Sequence, residues 1–258
     1  QMKAQFDKLF GSGKEYDEID SNGNTSEIPQ TTKKAPAKKS NEDQFDLFGF
    51  SDESDEPTAN HSYYATLENT THFYQIVQGD LPVKLLMQNL LNQTSVCFDT
   101  ETTGIDALNA ELVGMSFSFE KGKGFYVPFP ENQEEAQTLI EKFRPFFENE
   151  NIEKIGQNMK YDLKILSNYN IQVKGKLFDT MIAHYLINPD MRHNMDVLSE
   201  TYLKYAPKSI ETLIGKKGKN QLSMRDVPLE DIKEYATEDA DITFQLKEHF
   251  QPILEKVG

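Results

Sequence analysis

The stretch "SVCFDTETTGID", residues 95–106, decides the fold. Its apolar run, Val96-Cys97-Phe98, predicts a buried strand that leads straight into Asp99 and Glu101. Alternate side chains of a strand point to the same face, so these two carboxylates lie side by side. Neighbouring carboxylates repel each other unless cations or hydrogen-bond donors compensate them. The stretch therefore predicts a charged site at the end of a buried strand.

The composition allows one sizeable domain with an extension. The chain has 258 residues, 37% of them hydrophobic, with 17 Phe and 11 Tyr, and its mean hydropathy of −0.63 indicates a substantial polar segment. We expect no membrane partner, because no apolar run approaches the roughly 20 residues that span a bilayer. The first ten residues lack the order of a signal peptide. Cys97 is the single cysteine, which excludes an internal disulfide and fits a reducing, cytoplasmic setting.

The net charge of −15 limits the ways in which nucleic acid could bind. It argues against a nonspecific basic coat for nucleic acid. It leaves open a nucleic-acid site at which bound metal ions invert the local charge.

Residues 1–60 differ from the rest of the chain. They are polar, charged and poor in periodic apolar residues, so they cannot bury enough surface to offset the entropy of ordering. We predict a disordered acidic and polar linker here, followed by a globular domain over 61–258. Two similar apolar islands in the linker, "QFDKLFG" (5–11) and "QFDLFGF" (44–50), are either docking motifs or a chance recurrence.

From residue 71 the hydrophobic pattern predicts alternating strands and helices. We expect strands at 72–77, 95–101, 111–120, 124–130 and 151–158, and helices at 81–92, 134–150, 159–169, 180–188, 195–205 and 228–256. This order indicates an α/β domain with a mixed sheet and helices on both faces.

Two later segments carry further acidic residues. Asp162 lies in the predicted helix of "GQNMKYDLKIL" (156–166). Tyr235 and Asp239 are four residues apart in "IKEYATEDADITFQL" (232–246) and share one helix face, which Ile242 and Leu246 continue. Taken alone, Asp99 and Glu101 could form a solvated strand end, and Tyr235 and Asp239 could form a hydrogen-bonded core pair.

Together the four carboxylates indicate a metal site. Pointed into one site, they would raise each other's pKa values unless divalent cations neutralised them. Ligands that are all oxygen suit hard cations such as Mg²⁺ or Mn²⁺. Two such ions about 4 Å apart form the clamp used for displacement at phosphorus.

These residues and their spacing resemble the DEDD superfamily of 3′–5′ exonucleases, which has an RNase H-like fold. Tyr235 at the third motif places the chain in the tyrosine subgroup of that superfamily. Over residues 70–258 the chain closely resembles the proofreading domain of bacterial family A DNA polymerases, the DNA polymerase I family. Six segments carry this resemblance: "FDTETTGIDALNAELVGMSFSFE", "IGQNMKYDLKIL", "FDTMIAHYLINP", "RHNMDVLSETYL", "GKKGKNQL" and "YATEDADITFQL".

The resemblance implies a role for each site residue. Asp99, Glu101 and Asp239 would hold one divalent cation, Mg²⁺ or Mn²⁺, and Asp162 would support a second. Glu101 and Tyr235 would orient the attacking water, and the product would be a 5′-mononucleotide. The substrate contacts would come from Thr100, Ile105, Gln157, Asn158, Tyr161, Arg192 and Lys219.

The chain departs from the family near residue 210. Ile210 stands where the family has an aromatic stacking residue, and "IGKKGKNQL" (214–222) is one residue longer than the family's approach to this motif. This departure predicts weaker stacking on the terminal base.

The resemblance also implies the biological setting. The substrate would be a single-stranded or frayed 3′ terminus of DNA, and the protein would be a monomer in the bacterial cytoplasm. The polymerase and 5′-nuclease domains would belong to the same parent chain, with residues 1–60 as an interdomain linker. Two alternatives remain: a catalytically silent domain that guides DNA, or an RNA-trimming exonuclease similar to RNase D.

Four other polar residues are expected to have structural roles. Asp179 in "LFDTM" precedes a predicted helix and is expected to cap it. Asp241 points away from Asp239 around the last helix. His184 and His193 lack the spacing of metal ligands, and hydrogen bonding accounts for both.

The predicted linker can be tested by limited proteolysis. Because a disordered segment is cleaved before a folded one, we expect the first cuts to fall within residues 1–60. Mass spectrometry of the early fragments measures this. A full-length chain that resists the protease as well as its 61–258 portion does would contradict the linker.

Overall fold

The computed structural model describes residues 64–218 and 220–257. The predicted linker and its two apolar islands lie outside the described residues. Six strands of the described chain form one sheet: β1 (Phe73–Ile76), β2 (Ser95–Thr102), β3 (Leu112–Glu120), β4 (Lys123–Pro128), β5 (Glu153–Gly156) and β6 (Leu177–Asp179).

The strand order across the sheet is β1-β4-β3-β2-β5-β6. β3 pairs antiparallel with β2 and β4, whereas the β1–β4, β2–β5 and β5–β6 pairs are parallel. The predicted mixed sheet is therefore confirmed, and β2, which carries Asp99 and Glu101, lies inside it.

Helices connect and cover these strands. Their bounds are α1 (Asp80–Leu91), α2 (Gln133–Glu141), α3 (Arg144–Phe147), α4 (Lys160–Asn168), α5 (Thr180–Ile187), α6 (Met195–Leu198), α7 (Glu211–Ile214) and α8 (Leu229–Val257). A π-helical segment (Ser199–Leu203) follows α6, and a 3₁₀ turn (Met224–Asp226) precedes α8. In the described part of the chain, no helix combines the length and apolarity that a membrane crossing requires.

The alternation of side chains along β2 divides the core between the two faces of the sheet. Val96 and Phe98 pack in the larger hydrophobic cluster, together with residues of α1–α4. Cys97 packs in a second cluster with residues of α5, α6 and α8. Since Asp99 and Glu101 follow Cys97 at intervals of two, they continue toward the face that α8 covers.

α8 approaches the sheet closely at Gly124 on β4. A Cβ atom built on Gly124 would lie 2.2 Å from the Cγ2 atom of Thr237, a distance at which something must shift. Thr237 is fully buried on α8, between Tyr235 and Asp239. The missing side chain at position 124 therefore sets how near this turn of α8 lies to the sheet.

Two predictions about local structure were wrong, and one strand was missed. The helix expected over 134–150 is divided into α2 and α3, with Phe143 fully buried between them and Pro145 in the first turn of α3. The helix expected over 195–205 ends after one turn and continues as the π-helical segment. Strand β6 was not predicted, because three residues are too few for a period of two to emerge.

Substitution of Gly124 tests the contact between α8 and the sheet. We expect Gly124→Ala to lower the free energy of unfolding by about 1–3 kcal/mol through overpacking, and the melting temperature by roughly 2–10 °C. Gly104→Ala is the matched control, because a Cβ at Gly104 meets nothing within 4 Å. Equal melting temperatures for the two variants would contradict this account of the packing.

Candidate active site

Three carboxylates meet where β2 lies against α8. Asp99 and Glu101 come from β2 and Asp239 from α8, and one oxygen of each lies within 4.8 Å of the other two. In the register of the sheet, Asp99 is opposite Ser116 and Glu101 is opposite Gly114. The predicted shared face of the Asp-x-Glu pair is confirmed, and Asp239, which the resemblance groups with this pair, lies beside it.

The fourth carboxylate, Asp162, is held by Thr100, the residue between Asp99 and Glu101. Asp162, in the first turn of α4, accepts hydrogen bonds through Oδ1 from the backbone N–H (3.1 Å) and the hydroxyl (2.5 Å) of Thr100. Thr100 alternates with its neighbours on β2, so it faces α4 while Asp99 and Glu101 face α8. Three consecutive residues of β2, Asp99 to Glu101, thus contribute two of the four carboxylates and hold a third, Asp162, through Thr100.

Burial makes this group of carboxylates unfavourable as four free anions. It raises the pKa of Asp99 to about 7, against a smaller opposing effect of a hydrogen bond from the Thr100 backbone. Burial, followed by the nearby charge of Asp99, raises the pKa of Glu101, Asp162 and Asp239 as well. Without cations, the site therefore retains protons at pH values where ordinary carboxyls have lost them.

The donor atoms of the cluster fit a hard divalent cation. The three ligand atoms that Asp99, Glu101 and Asp239 bring together are carboxylate oxygens, which magnesium and manganese prefer. Asp239 Oδ1 is buried and has no hydrogen-bond partner. A buried anionic oxygen without a donor is unfavourable, and a cation between Asp99, Glu101 and Asp239 would satisfy it.

Tyr235 lies beside these carboxylates on the same face of α8. Burial, then the charges of Asp239, Glu101 and Asp99, raises the pKa of its phenol. The phenol therefore keeps its proton at neutral pH and is available as a hydrogen-bond donor. Its ring is half-buried against the cluster that contains Ile232 and Ala236.

Asp179 fixes the backbone of the second motif. Its carboxylate caps α5 by accepting from the N–H groups of Met181 and Ile182, which confirms the predicted cap. It also accepts from the N–H groups of Asn158 and Met159. Asn158 has a φ of 54°, in the left-handed region, and the turn it makes leads into the helix of Asp162.

The predicted substrate residues lie in different surroundings. Ile105 is 83% exposed in the loop that follows β2. The Tyr161 hydroxyl contacts Thr102 Oγ1 and the carbonyl oxygen of Gly104, one residue before Ile105. Arg192 is exposed.

Two other predicted substrate residues, Gln157 and Thr100, already form hydrogen bonds within the protein. The side-chain amide of Gln157 donates to the carbonyl of His193 and accepts from the Thr180 hydroxyl. Thr100 is occupied with Asp162, and Lys219 lies outside the described residues. Ile210, immediately before α7, is 40% exposed. Contact of these residues with a substrate stays a prediction.

Asp241, His184 and His193, which were expected to have structural roles, form hydrogen bonds outside the carboxylate cluster. Asp241 accepts from the Tyr74 hydroxyl and the Gly122 backbone, so its predicted orientation is confirmed. His184 and His193 share a hydrogen bond of 2.7 Å between their Nδ1 atoms, and Tyr202 contacts Nε2 of His184. Their separation in sequence gave no sign of this direct contact.

Two further acidic residues near Asp239 were missed by the sequence reasoning. The charges of Glu238 and Asp196 add to the rise of the Asp239 pKa after burial, Asp99 and Glu101. Glu238 stands next to Asp239 in "TEDAD" but projects from another side of the helix. Asp196 comes from α6, and no periodicity in the sequence links it to α8.

The fold and the cluster of carboxylates define a class of protein. The structure is similar to NrnC from Brucella melitensis, with a TM-score of 0.56 and 21% identity, over 73% of this chain and 84% of that one. It is also similar to the catalytic core of RRP6 from Trypanosoma brucei, with a TM-score of 0.57 and 19% identity, over 73% and 51% of the two chains. The fold is thus an RNase H-like α/β fold.

A family model described as 3′–5′ exonuclease matches residues 74–255. The DNA polymerase I of Borreliella burgdorferi is 34% identical over 213 residues, which is 81% of this chain and 22% of that protein. The Pseudomonas aeruginosa DNA polymerase I is 32% identical, over 71% of this chain and 21% of that protein. The chain belongs to the 3′–5′ exonuclease domain family of bacterial DNA polymerase I. It spans about a fifth of the length of these relatives.

The raised pKa values predict how pH affects the stability of the metal-free protein. Because the folded pKa of Asp99 lies near 7 and its ordinary value is 3.8, the folded state binds the extra proton between these values. This contribution to stability is full below pH 4 and is lost as the pH rises through 7. In EDTA, we expect Asp99→Asn to raise the melting temperature at pH 8 and to change it little at pH 4.

Added Mg²⁺ provides the complementary measurement. Since a cation competes with protons for the same carboxylates, Mg²⁺ should raise the wild-type melting temperature more at pH 8 than at pH 5. Asp99→Asn should reduce that gain. An equal gain at both pH values, unchanged by the substitution, would contradict binding at this cluster.

Proposed function

We propose that this chain is the proofreading exonuclease domain of a bacterial DNA polymerase I, working in the cytoplasm. Its reaction is the hydrolysis of the terminal phosphodiester at a single-stranded or frayed 3′ end of DNA, with release of a 5′-mononucleotide. The observation that carries this proposal is the meeting of Asp99, Glu101 and Asp239 oxygens within 4.8 Å, with Asp162 held behind them.

The proposed cofactor is a pair of divalent cations, Mg²⁺ or Mn²⁺. A structure of NrnC was determined with bound Mg²⁺, which supports this choice. Asp99, Glu101 and Asp239 are the residues that would hold the first ion, and Asp99 with Asp162 would hold the second. When bound, such ions activate a water and stabilise the negative charge that develops at phosphorus and on the leaving oxygen.

The remaining chemistry falls to the side chains themselves. Glu101 accepts a hydrogen bond from the attacking water and so aims it at the phosphorus. The Tyr235 phenol stays protonated and donates a hydrogen bond, because burial and its anionic neighbours raise its pKa. It therefore orients the water or the phosphate and does not serve as the base. Thr100 keeps Asp162 in place through two hydrogen bonds.

The surface near the site suits a frayed strand end. Ile105 projects an exposed apolar side chain from the loop after β2, where it can wedge against the terminal base. Tyr161 supports that loop through the Gly104 carbonyl. Asn158, Gln157, Arg192 and Lys219 are the proposed polar contacts to the nucleotide.

Two alternatives compete with this proposal. A silent domain that only guides DNA is disfavoured by the complete set of four carboxylates and Tyr235. An RNA-trimming enzyme remains the second candidate, because four carboxylates that hold divalent cations would serve the hydrolysis of DNA and of RNA alike. In this proposal the protein is a monomer, and residues 61–258 form the exonuclease domain. Residues 1–60 are a linker to the polymerase and 5′-nuclease domains of the parent chain.

Digestion of an oligodeoxynucleotide labelled at its 5′ end tests the proposal. With Mg²⁺ or Mn²⁺ we expect a ladder that shortens from the 3′ end, and with EDTA no cleavage. A parallel oligoribonucleotide separates the two nuclease candidates by their kcat/KM values. Absence of cleavage with either metal, at high protein concentration, would favour the silent domain.

Substitution of Asp162 tests the role of the fourth carboxylate. Asp162→Ala should lower the rate at least about 100-fold, as loss of a group that stabilises developing charge does. The melting temperature in EDTA should not fall, since one of several repelling carboxylates is removed. Asp231→Ala, at an exposed position of α8, is the matched control. Equal rates for both variants would disprove the assignment of Asp162.

A further inference from the structure

Glu238 is a buried carboxylate that takes no part in the metal cluster. It is 0% exposed, although it adjoins Asp239 on α8. Its Oε1 accepts a hydrogen bond of 2.6 Å from the Tyr205 hydroxyl, and its Oε2 accepts one of 2.9 Å from the Lys208 backbone N–H. Both oxygens are therefore bound to one short segment of chain.

That segment begins a longer stretch, the described residues 205–218 and 220–222, which we call the arm. At its start, the Ala206 N–H donates to the Ala65 carbonyl, and Ala65 forms a parallel bridge with Tyr205. Farther along, Leu213 and Ile214 of α7 pack against the cluster that also contacts Tyr235. At its end, the Leu222 N–H donates to the Ile214 carbonyl. The arm thus runs beside the helix that carries Tyr235 and Asp239.

The exposed side chains of the arm match the chemistry of a single strand. Ile210 is 40% exposed and offers an apolar surface to a base. Lys216 and Lys217 are exposed cations that suit phosphates. A groove that pairs cations with surfaces for base contact is how proteins hold single-stranded nucleic acid without reading its sequence.

Burying the Glu238 carboxylate is costly, and its two hydrogen bonds offset that cost. The Lys208 bond is to the backbone, so it fixes the path of the chain and not a single side chain. Ile210 lies only two residues after Lys208. A shift at this anchor therefore moves the exposed part of the arm relative to Asp239.

We propose that Glu238 is a positioning residue, which fixes the arm against α8 so that the arm holds the single strand beside the metal cluster. This inference rests on the proposed nuclease function, whose family resemblance already implies strand contact near Ile210, and it adds the positioning role of Glu238. Glu238 itself touches neither the substrate nor the reacting atoms.

Glu238→Gln is the sharpest test, because it keeps the shape of the side chain. The amide lacks the charge that strengthens both hydrogen bonds, and it offers one acceptor oxygen instead of two. We expect KM for a single-stranded oligodeoxynucleotide to rise about tenfold, the size of a weakened charge-assisted hydrogen bond. We expect kcat to stay within about twofold of the wild-type value, because the cluster is intact.

A second readout follows the arm without any substrate. Trypsin cleaves after Lys208, Lys216 and Lys217, and these cuts should become faster in Glu238→Gln while the rest of the fragment pattern is unchanged. Glu248→Gln, at an exposed position of α8, is the matched control and should match the wild type in both assays. Tyr205→Phe removes one of the two donors and should shift both readouts in the same direction.

Each outcome decides the inference. A fall in kcat at unchanged KM, or tryptic cuts in the arm at the wild-type rate, would overturn it. If Glu238→Gln does not fold, Tyr205→Phe supplies the same comparison. A wild-type chain without nuclease activity would defeat the proposed function, whereas the tryptic pattern would still report whether Glu238 anchors the arm.

Discussion

The repulsion among four carboxylates at the end of β2 is the constraint on which the rest of this structure depends. Burial raises the pKa values of all four groups, and the nearby charge of Asp99 raises those of the other three further. A fold that gathers them must hold them rigidly, since each would otherwise turn toward water. β2 does this by lying inside the sheet, with helices on both sides. The result is a site whose charge is balanced by protons at low pH and that suits divalent cations at neutral pH.

α8 links this site to the rest of the domain, because successive residues of one turn project to different partners. Thr237 packs on Gly124 of the sheet, and Glu238 holds the arm. Asp239 joins the carboxylates of β2, and Asp241 binds Tyr74 and Gly122 near the sheet edge. A rotation of α8 that improved one of these contacts would break another. The helix therefore has one orientation in which all of them form.

The sequence predicted those parts of the fold that depend on short-range patterns. The strands β1 to β5 and the long helix α8 were located to within about three residues, because a period of two or 3.6 repeats often enough in them. The prediction of one helix over 134–150 was wrong. Its apolar residues fit one helical period, but the helix is interrupted at the buried Phe143, between α2 and α3. β6 was missed because its pairing with β5, and not its own sequence, makes it a strand.

The sequence by itself determined which side chains share a face. The pairs Asp99 with Glu101 and Tyr235 with Asp239 follow from spacings of two and four, which the backbone geometry of strand and helix converts into proximity. Only the tertiary structure decided that Asp162 meets Thr100, that Glu238 binds the arm, and that His184 meets His193. Those partners are 62, 30 and 9 residues apart. No local period relates them, because their contact depends on how whole elements pack against the sheet.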